Sequence, residues 1–210
     1  MISYTDIKPI EIAIPAERQS AKRHYGVHPY FTRRPYNVVR RYILHYSQEG
    51  DMVLDPFGGS GVTAIEAFLE NRVGIQNDIN PLANFIAKGV AGLHSGQTST
   101  YRSALLELQE RCEARLSQIE SADEEQVSSW LKVANLPVNI KLPRTSDVDR
   151  YYDLFLPYQL LCLSVLKDAV DSISDDNARK GMLLAWSATL TKLNKTFLSA
   201  EGRQESRGGS

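Results

Sequence analysis

Apolar positions in the first half of the chain change period over short distances, and each change marks an element. In PYNVVRRYILHY, from Pro35 to Tyr46, Val38, Val39, Tyr42, Ile43 and Tyr46 recur at helical spacing behind a proline suited to a first turn, which predicts an amphipathic helix. EGDMVLDPF then predicts a turn and a short buried-type strand through Met52, Val53 and Leu54, stopped at Asp55-Pro56. Gly58 to Gly61 form a loop, and VTAIEAFLEN reads as a helix turning Ala64, Ile65 and Phe68 inward. Arg72 to Gln76 predicts a second strand, after which Asn80-Pro81 supply an N-cap and a first-turn proline for LANFIAKGVAGL. The order strand, glycine loop, helix, strand, acid, helix is a βαβ unit of right-handed crossover, and it implies a parallel sheet.

Past His94 the strand signal ends. Helical spacing runs from Thr98 to Ile119 through Leu105, Leu108, Cys112 and Leu116, and again from Ala122 to Val133. NLPVNIKLPRTSDVDRYY, with two prolines, predicts a loop or extended connector, and two more helices are expected over Pro157–Ile173 and Asn177–Leu193. The chain therefore divides into an N-terminal arm (1–27), a βαβ region (28–95), a helical region (96–196) and a polar, glycine-rich tail (197–210) expected to be mobile. No internal repeat is visible.

Composition adds limits. With 42% hydrophobic and 23% charged residues and a net charge of −1, a chain of 210 residues reads as an ordinary globular protein with a real core. No apolar run approaches the roughly 20 residues that cross a bilayer. MISYTDIKPIEIAIPAER lacks the basic-then-apolar order of a signal peptide, so a cytoplasmic location is expected. Cys112 and Cys162 have no Cys or His at ligand spacing, and they read as reduced thiols with no metal site. The near-zero charge hides an asymmetry: Arg18, Lys22, Arg23, Arg33, Arg34, Arg40 and Arg41, with His24 and His28, fall in a stretch without an acid. That stretch is either a solvated arm or a local basic surface.

The chemistry is concentrated in DMVLDPFGGSGVTAIEAF, which starts at Asp51. In a βαβ unit the loop after the first strand sits at the carboxyl edge of the sheet, where the next helix points its free N–H groups, and glycine there admits a ligand to the backbone. Asp78 ends the second strand, twenty residues after Gly58, the spacing of an acid that accepts hydrogen bonds from a ribose. A dinucleotide site would read G-x-G-x-x-G and hold a pyrophosphate, and a Walker loop would continue with Gly-Lys-Ser/Thr. Here Asp55 precedes the glycines. It would repel a pyrophosphate and suit an ammonium, and a ligand with an amino-acid ammonium at one end and a ribose at the other is S-adenosylmethionine.

VLDPFGGSGVTAIEA closely resembles motif I of the DNA amino-methyltransferases, enzymes that methylate N6 of adenine or N4 of cytosine, whose usual form is DPF-x-GSG-T-T. NDINPLA resembles the family's next motif, and HPYFTRRPYNVVRRYI resembles the helix-leading motif upstream; the likeness covers roughly positions 28 to 90. It implies an α/β, Rossmann-like S-adenosylmethionine-dependent methyltransferase fold, incomplete here, with residues from Thr98 onward as a helical insertion or C-terminal helical region. Asp55, Phe57, Gly58, Gly59 and Gly61 would then line the methionine and ribose side. Asp78 would take the ribose hydroxyls, and Ile79 would lie against adenine. Tyr30, Phe31 and Pro35 would form an upstream wall, with core packing the competing role for Phe57 and Ile79. Val62 stands where the family usually has threonine. DNA would be the partner, approached by Arg33, Arg34, Arg40 and Arg41.

One part of the family's equipment is missing. The family transfers methyl through a D/N/S-P-P-Y/F motif that accepts hydrogen bonds from the target amine and stacks on a flipped base. The chain has no adjacent prolines, and Leu156-Pro157-Tyr158 lacks both the polar group and the second proline. Three readings account for this, in order of preference: the motif lies in a C-terminal continuation, a second chain carries it, or the protein is a cofactor-binding remnant. In the first two the chain alone is inactive. An RNA methyltransferase with the same loop and a helical interaction module with a glycine turn are the rivals from other classes.

Overall fold

The computed structural model describes residues 7–18, 23–93 and 98–195. They form two compact units that divide between Ser95 and Gly96.

The first unit contains α1 (Tyr36–Tyr46), β1 (Met52–Asp55), α2 (Val62–Leu69), β2 (Val73–Gln76) and α3 (Pro81–Leu93). β1 and β2 pair in parallel, with Met52 opposite Val73 and Asp55 opposite Gln76, so the crossover read from the sequence is present. Among the described residues the sheet has these two strands only. α2 lies so close over β2 that a Cβ at Gly74 would sit 2.1 Å from the Ala64 carbonyl oxygen. Val62, Ile65 and Ala67 of α2 are buried together with Ile43 of α1 and Ala83, Ile86 and Val90 of α3, and this is the core of the unit.

Polar clamps finish that core. The buried Arg72 guanidinium donates to the Ser47 carbonyl at 2.8 Å, to the Ser47 hydroxyl at 3.1 Å and to the Glu70 carbonyl, tying the ends of α1 and α2 to the start of β2. Glu66 is fully buried on α2, and the Tyr25 hydroxyl donates to its Oε1 at 2.8 Å. Burial first, and then the Glu66 carboxylate, push the Tyr25 phenol well above its usual range, so it remains a neutral donor. Residues 7–18 run beside α1: the Asn37 amide donates to the Pro15 carbonyl at 2.7 Å and its oxygen accepts the Glu17 N–H at 3.0 Å.

Among the described residues of this unit, nothing covers the other face of the sheet. Met52, Leu54, Val73 and Ile75 are 75%, 61%, 52% and 41% exposed, because strand side chains alternate and α2 covers the opposite side. The inward reading of Phe68 is also corrected: it is exposed, although its helical neighbour Ile65 is buried. Periodicity assigns Phe68 to a helix face; whether anything stands opposite that face is a tertiary matter.

The second unit is helical: α4 (Thr98–Glu120), α5 (Glu124–Leu131), α6 (Pro157–Asp171) and α7 (Asp176–Leu193). Asp123 and Gln126 form a reciprocal cap on α5, with bonds of 2.8 and 3.1 Å. Asp175 caps α7 by accepting the Ala178 N–H at 2.7 Å, and such caps each contribute about 1 kcal/mol. Three apolar clusters hold the helices: Ala104 with Ile173 and Ala178, Ile119 with Val127 and Leu161, and Phe155 with Leu160 and Leu163. The connector between α5 and α6 has a 3-10 turn at Tyr151–Leu154 and one isolated antiparallel bridge, Lys141 with Arg150. Cys112 is buried, Cys162 is half-buried, and both are free thiols. Among the described residues there is no group of side chains able to hold a metal ion and no helix long and apolar enough to cross a membrane. The tail read as mobile, 197–210, lies outside the described residues, as does Lys22.

Candidate cofactor site

The glycine loop and Asp78 converge at the carboxyl end of the two strands. The parallel ladder continues past β1 and β2: the Asn77 N–H donates to the Asp55 carbonyl and the Gly58 N–H to the Asn77 carbonyl, each at 3.0 Å. The chain then turns, and the Gly61 N–H closes on the Gly58 carbonyl at 2.8 Å. Gly59 and Gly61 hold φ of +52° and +87°, which glycine adopts without the steric cost other residues incur. Space is as restrictive as conformation. A Cβ would lie 2.7 Å from the Ala87 Cβ at Gly61, 2.4 Å from the Gln76 Cγ at Gly58, and 3.2 Å from the Tyr30 ring at Gly59.

Both carboxylates are oriented by local donors. Asp55 accepts the Phe57 N–H at 3.1 Å on Oδ1 and the Thr63 hydroxyl at 2.6 Å on Oδ2. Asp78 accepts the Gly59 N–H on Oδ2 and the Asn80 N–H on Oδ1, both at 2.8 Å. The first of these bonds joins the loop directly to the acid twenty residues away in sequence from Gly58. Gln76 reinforces the junction, donating to the Gly59 carbonyl at 3.2 Å and the Asn84 side chain at 3.0 Å, while Asn84 donates to the Asp78 carbonyl at 2.8 Å. Asn80 caps α3 as expected, accepting the Leu82 N–H at 3.0 Å.

The flanking candidates divide. Tyr30 is half-buried with its ring over Gly59. Phe31, Phe57 and Ile79 are 91%, 87% and 99% exposed, so the core-packing role weighed for Phe57 and Ile79 is not the one they have. Pro35 is the N-cap residue of α1. Arg33 departs from the picture of a DNA-facing cation. It is half-buried, and its guanidinium donates to the Ser60 hydroxyl at 2.9 Å, to the His28 carbonyl at 3.0 Å and to the Tyr25 carbonyl. It thereby fastens the 25–33 segment to the glycine loop. Arg40 pairs with Glu70 at 2.5 Å, and Arg34 and Arg41 are exposed. Two depressions lie elsewhere, one of about 270 Å³ over α1 between Glu17 and Leu44 and one of about 230 Å³ in the second unit beside Phe155 and Trp186.

Residue-by-residue reading passed over Thr63, Gln76, Asn84 and Ser60. Thr63 alone had a local signal, a hydroxyl in the first turn of the helix that follows Asp55; the others act across chain separations that carry no sequence mark.

Comparison with known proteins finds a family model that matches the stretch containing the loop. Residues 6–88 match the DNA methylase family N6_N4_Mtase. The type II methyltransferase M2.MboI of Moraxella bovis is 39% identical over 62 residues, which is 29% of this chain and 22% of that protein. The type II methyltransferase M.HpaI of Haemophilus parainfluenzae is 48% identical over 52 residues, 25% of this chain and 17% of its own length. The type II methyltransferase M.MjaII of Methanocaldococcus jannaschii is 30% identical over 73 residues, 35% of this chain and 14% of its own. The chain thus spans about a fifth or less of the curated relatives it matches. No solved structure matches. The second unit lies beyond the family match, and the family implies S-adenosylmethionine as methyl donor. Through residues 6–88, which include the whole glycine loop and Asp78, the chain is similar to the DNA methylases of the N6_N4_Mtase family.

Proposed function

We propose that residues 28–95 bind S-adenosylmethionine, and that the chain is the cofactor-holding portion of an enzyme that methylates an exocyclic amino group of adenine or cytosine in DNA. The observation that carries this reading is the pair of oriented carboxylates, Asp55 and Asp78, on either side of a glycine loop bonded to one of them. Each carboxylate oxygen has two lone pairs, and each here accepts one protein donor, so acceptor capacity is left for a ligand. Asp78 would accept from the ribose hydroxyls and Asp55 from the ammonium of the methionine end. Gly58, Gly59 and Gly61 let the loop pack against Gln76, Tyr30 and Ala87, which holds its backbone in place beside the two carboxylates. Phe57, Ile79 and the Tyr30 ring offer apolar cover, and solvent-exposed Phe57 and Ile79 would gain burial on binding.

When bound, the cofactor supplies an electrophilic methyl group. The chain's own residues hold and orient it, and the D/N/S-P-P-Y/F motif that would receive the target amine is absent from the 210 residues. On this reading the motif is supplied by a continuation of the chain or by a second chain. The bare sheet face supports that view, since parallel sheets are found almost only with both faces covered and two strands alone are marginal in water. Arg34 and Arg41 would contribute to DNA binding, an attraction that weakens as salt is added.

Calorimetric titration of S-adenosylmethionine into the full chain and into Asp78→Ala tests the cofactor reading. Hydrogen bonds to a charged group are worth about 1.5–3 kcal/mol, so the variant should bind roughly ten- to a hundredfold more weakly. Failure of the unaltered chain to bind, or equal affinity in the variant, would sink the reading.

A further inference from the structure

Resting on the cofactor reading above, we infer that Thr63 is a positioning residue: it orients the Asp55 carboxylate toward the ammonium of the bound cofactor and so sets recognition of the ligand's amino-acid end. Asp55 is held from two directions. The Phe57 N–H fixes Oδ1 through the tight turn after β1, and the Thr63 hydroxyl, half-buried in the first turn of α2, fixes Oδ2 at 2.6 Å. An ionised carboxylate only accepts hydrogen bonds, so the threonine hydroxyl is the donor and its orientation is determined. With two donors on different oxygens, both side-chain torsions of Asp55 are constrained before any ligand arrives. An ammonium then meets a carboxylate already in place, and no ordering of the side chain remains to be done on binding. Asp78 has its own two backbone donors and none from Thr63. The two ends of the site are therefore positioned by separate groups, and a change at Thr63 should be felt at one end only.

That separation supplies the test. Thr63→Val keeps the side-chain shape and removes the hydroxyl; Thr63→Ser keeps the hydroxyl. Binding of two probes to the full chain and both variants is compared by calorimetry: S-adenosylmethionine, and 5′-methylthioadenosine, which has the adenosine and sulfur but no amino-acid ammonium. The expected result is an affinity for S-adenosylmethionine lowered about tenfold in Thr63→Val and restored in Thr63→Ser, with 5′-methylthioadenosine bound equally by all three. Circular dichroism confirms that each variant is folded. Equal weakening of both probes in Thr63→Val would make Thr63 a packing residue of the loop and overturn the inference, as would unchanged affinity or no recovery in Thr63→Ser. Absence of S-adenosylmethionine binding by the unaltered chain would overturn the cofactor reading beneath it.

Discussion

In the helical unit, Leu161, Leu163 and Leu184 are buried among their neighbours, while Leu105 and Leu106 of α4 stay exposed. In the βαβ unit four of the five apolar side chains of β1 and β2, Met52, Leu54, Val73 and Ile75, stand open to solvent, and only Val53 falls on the face that α2 covers. The first arrangement is what amphipathic helices do unaided: each stripe finds another stripe. The second has a core on one side of the sheet, and its order depends on close backbone approaches and buried polar clamps such as Arg72 with Ser47 and Arg33 with Ser60. A unit with one face of its sheet uncovered has its shape set by specific contacts more than by buried area: Arg72 fastens the amino edge of the sheet, and Arg33 fastens the glycine loop at the carboxyl edge where Asp55 and Asp78 lie.

The contrast can be broken most severely at Gly74. An added Cβ would meet the Ala64 carbonyl oxygen at 2.1 Å, and backbone cannot step aside as a side chain can. Gly74→Ala should cost roughly 3 kcal/mol or more through overpacking and displaced backbone, which the thermal transition of the βαβ unit should show by circular dichroism while the helical unit retains its own. Next in size is a matched pair of leucines. Leu161→Ala should cost about 2–5 kcal/mol by leaving a cavity among Ile119, Val127 and Trp130, whereas Leu54→Ser on the bare face should stay within about 0.5 kcal/mol. Urea denaturation separates the two outcomes, and a large loss from Leu54→Ser would mean that the sheet face is covered in solution.

The legible and illegible parts of the sequence follow the same division. Strand, loop, strand and acid could be read because glycine, Asx-Pro and a fixed spacing leave local marks: Asp55, Gly61 and Asp78 fell where the ladder and its turn require them. The helices of the second unit were legible from period alone, within a few residues at each end. What could not be read were pairings set by the fold. Arg33 looked like a surface cation because its three acceptors, at Tyr25, His28 and Ser60, are carbonyls and a hydroxyl that carry no charge pattern. Glu66 is an acid inside an apolar helix run, and it is fully buried with Tyr25, 41 residues earlier, donating to it. Phe68 failed in the opposite direction, through a missing neighbour.

A smaller effect comes from His28, buried beside Arg33 in the βαβ unit. Burial, the largest influence, and the Arg33 guanidinium hold its imidazole below the usual value, and the Pro29 carbonyl opposes them. The unfolded chain therefore takes up a proton near its ordinary value of about 6.5 before the folded chain does. Stability is full above that pH and declines as pH falls through it toward the folded value. Thermal melts between pH 7.5 and 5.5 should show the decline in the βαβ transition, and His28→Asn should flatten it.

The central claim is that the glycine loop with Asp55 and Asp78 is the cofactor site. Titration of the ¹⁵N-labelled chain with S-adenosylmethionine tests it residue by residue. The account predicts saturable amide shifts centred on Gly58, Gly59, Gly61, Asp78 and Ile79. Shifts centred in 98–195, or a spectrum unchanged at saturating ligand, would contradict it.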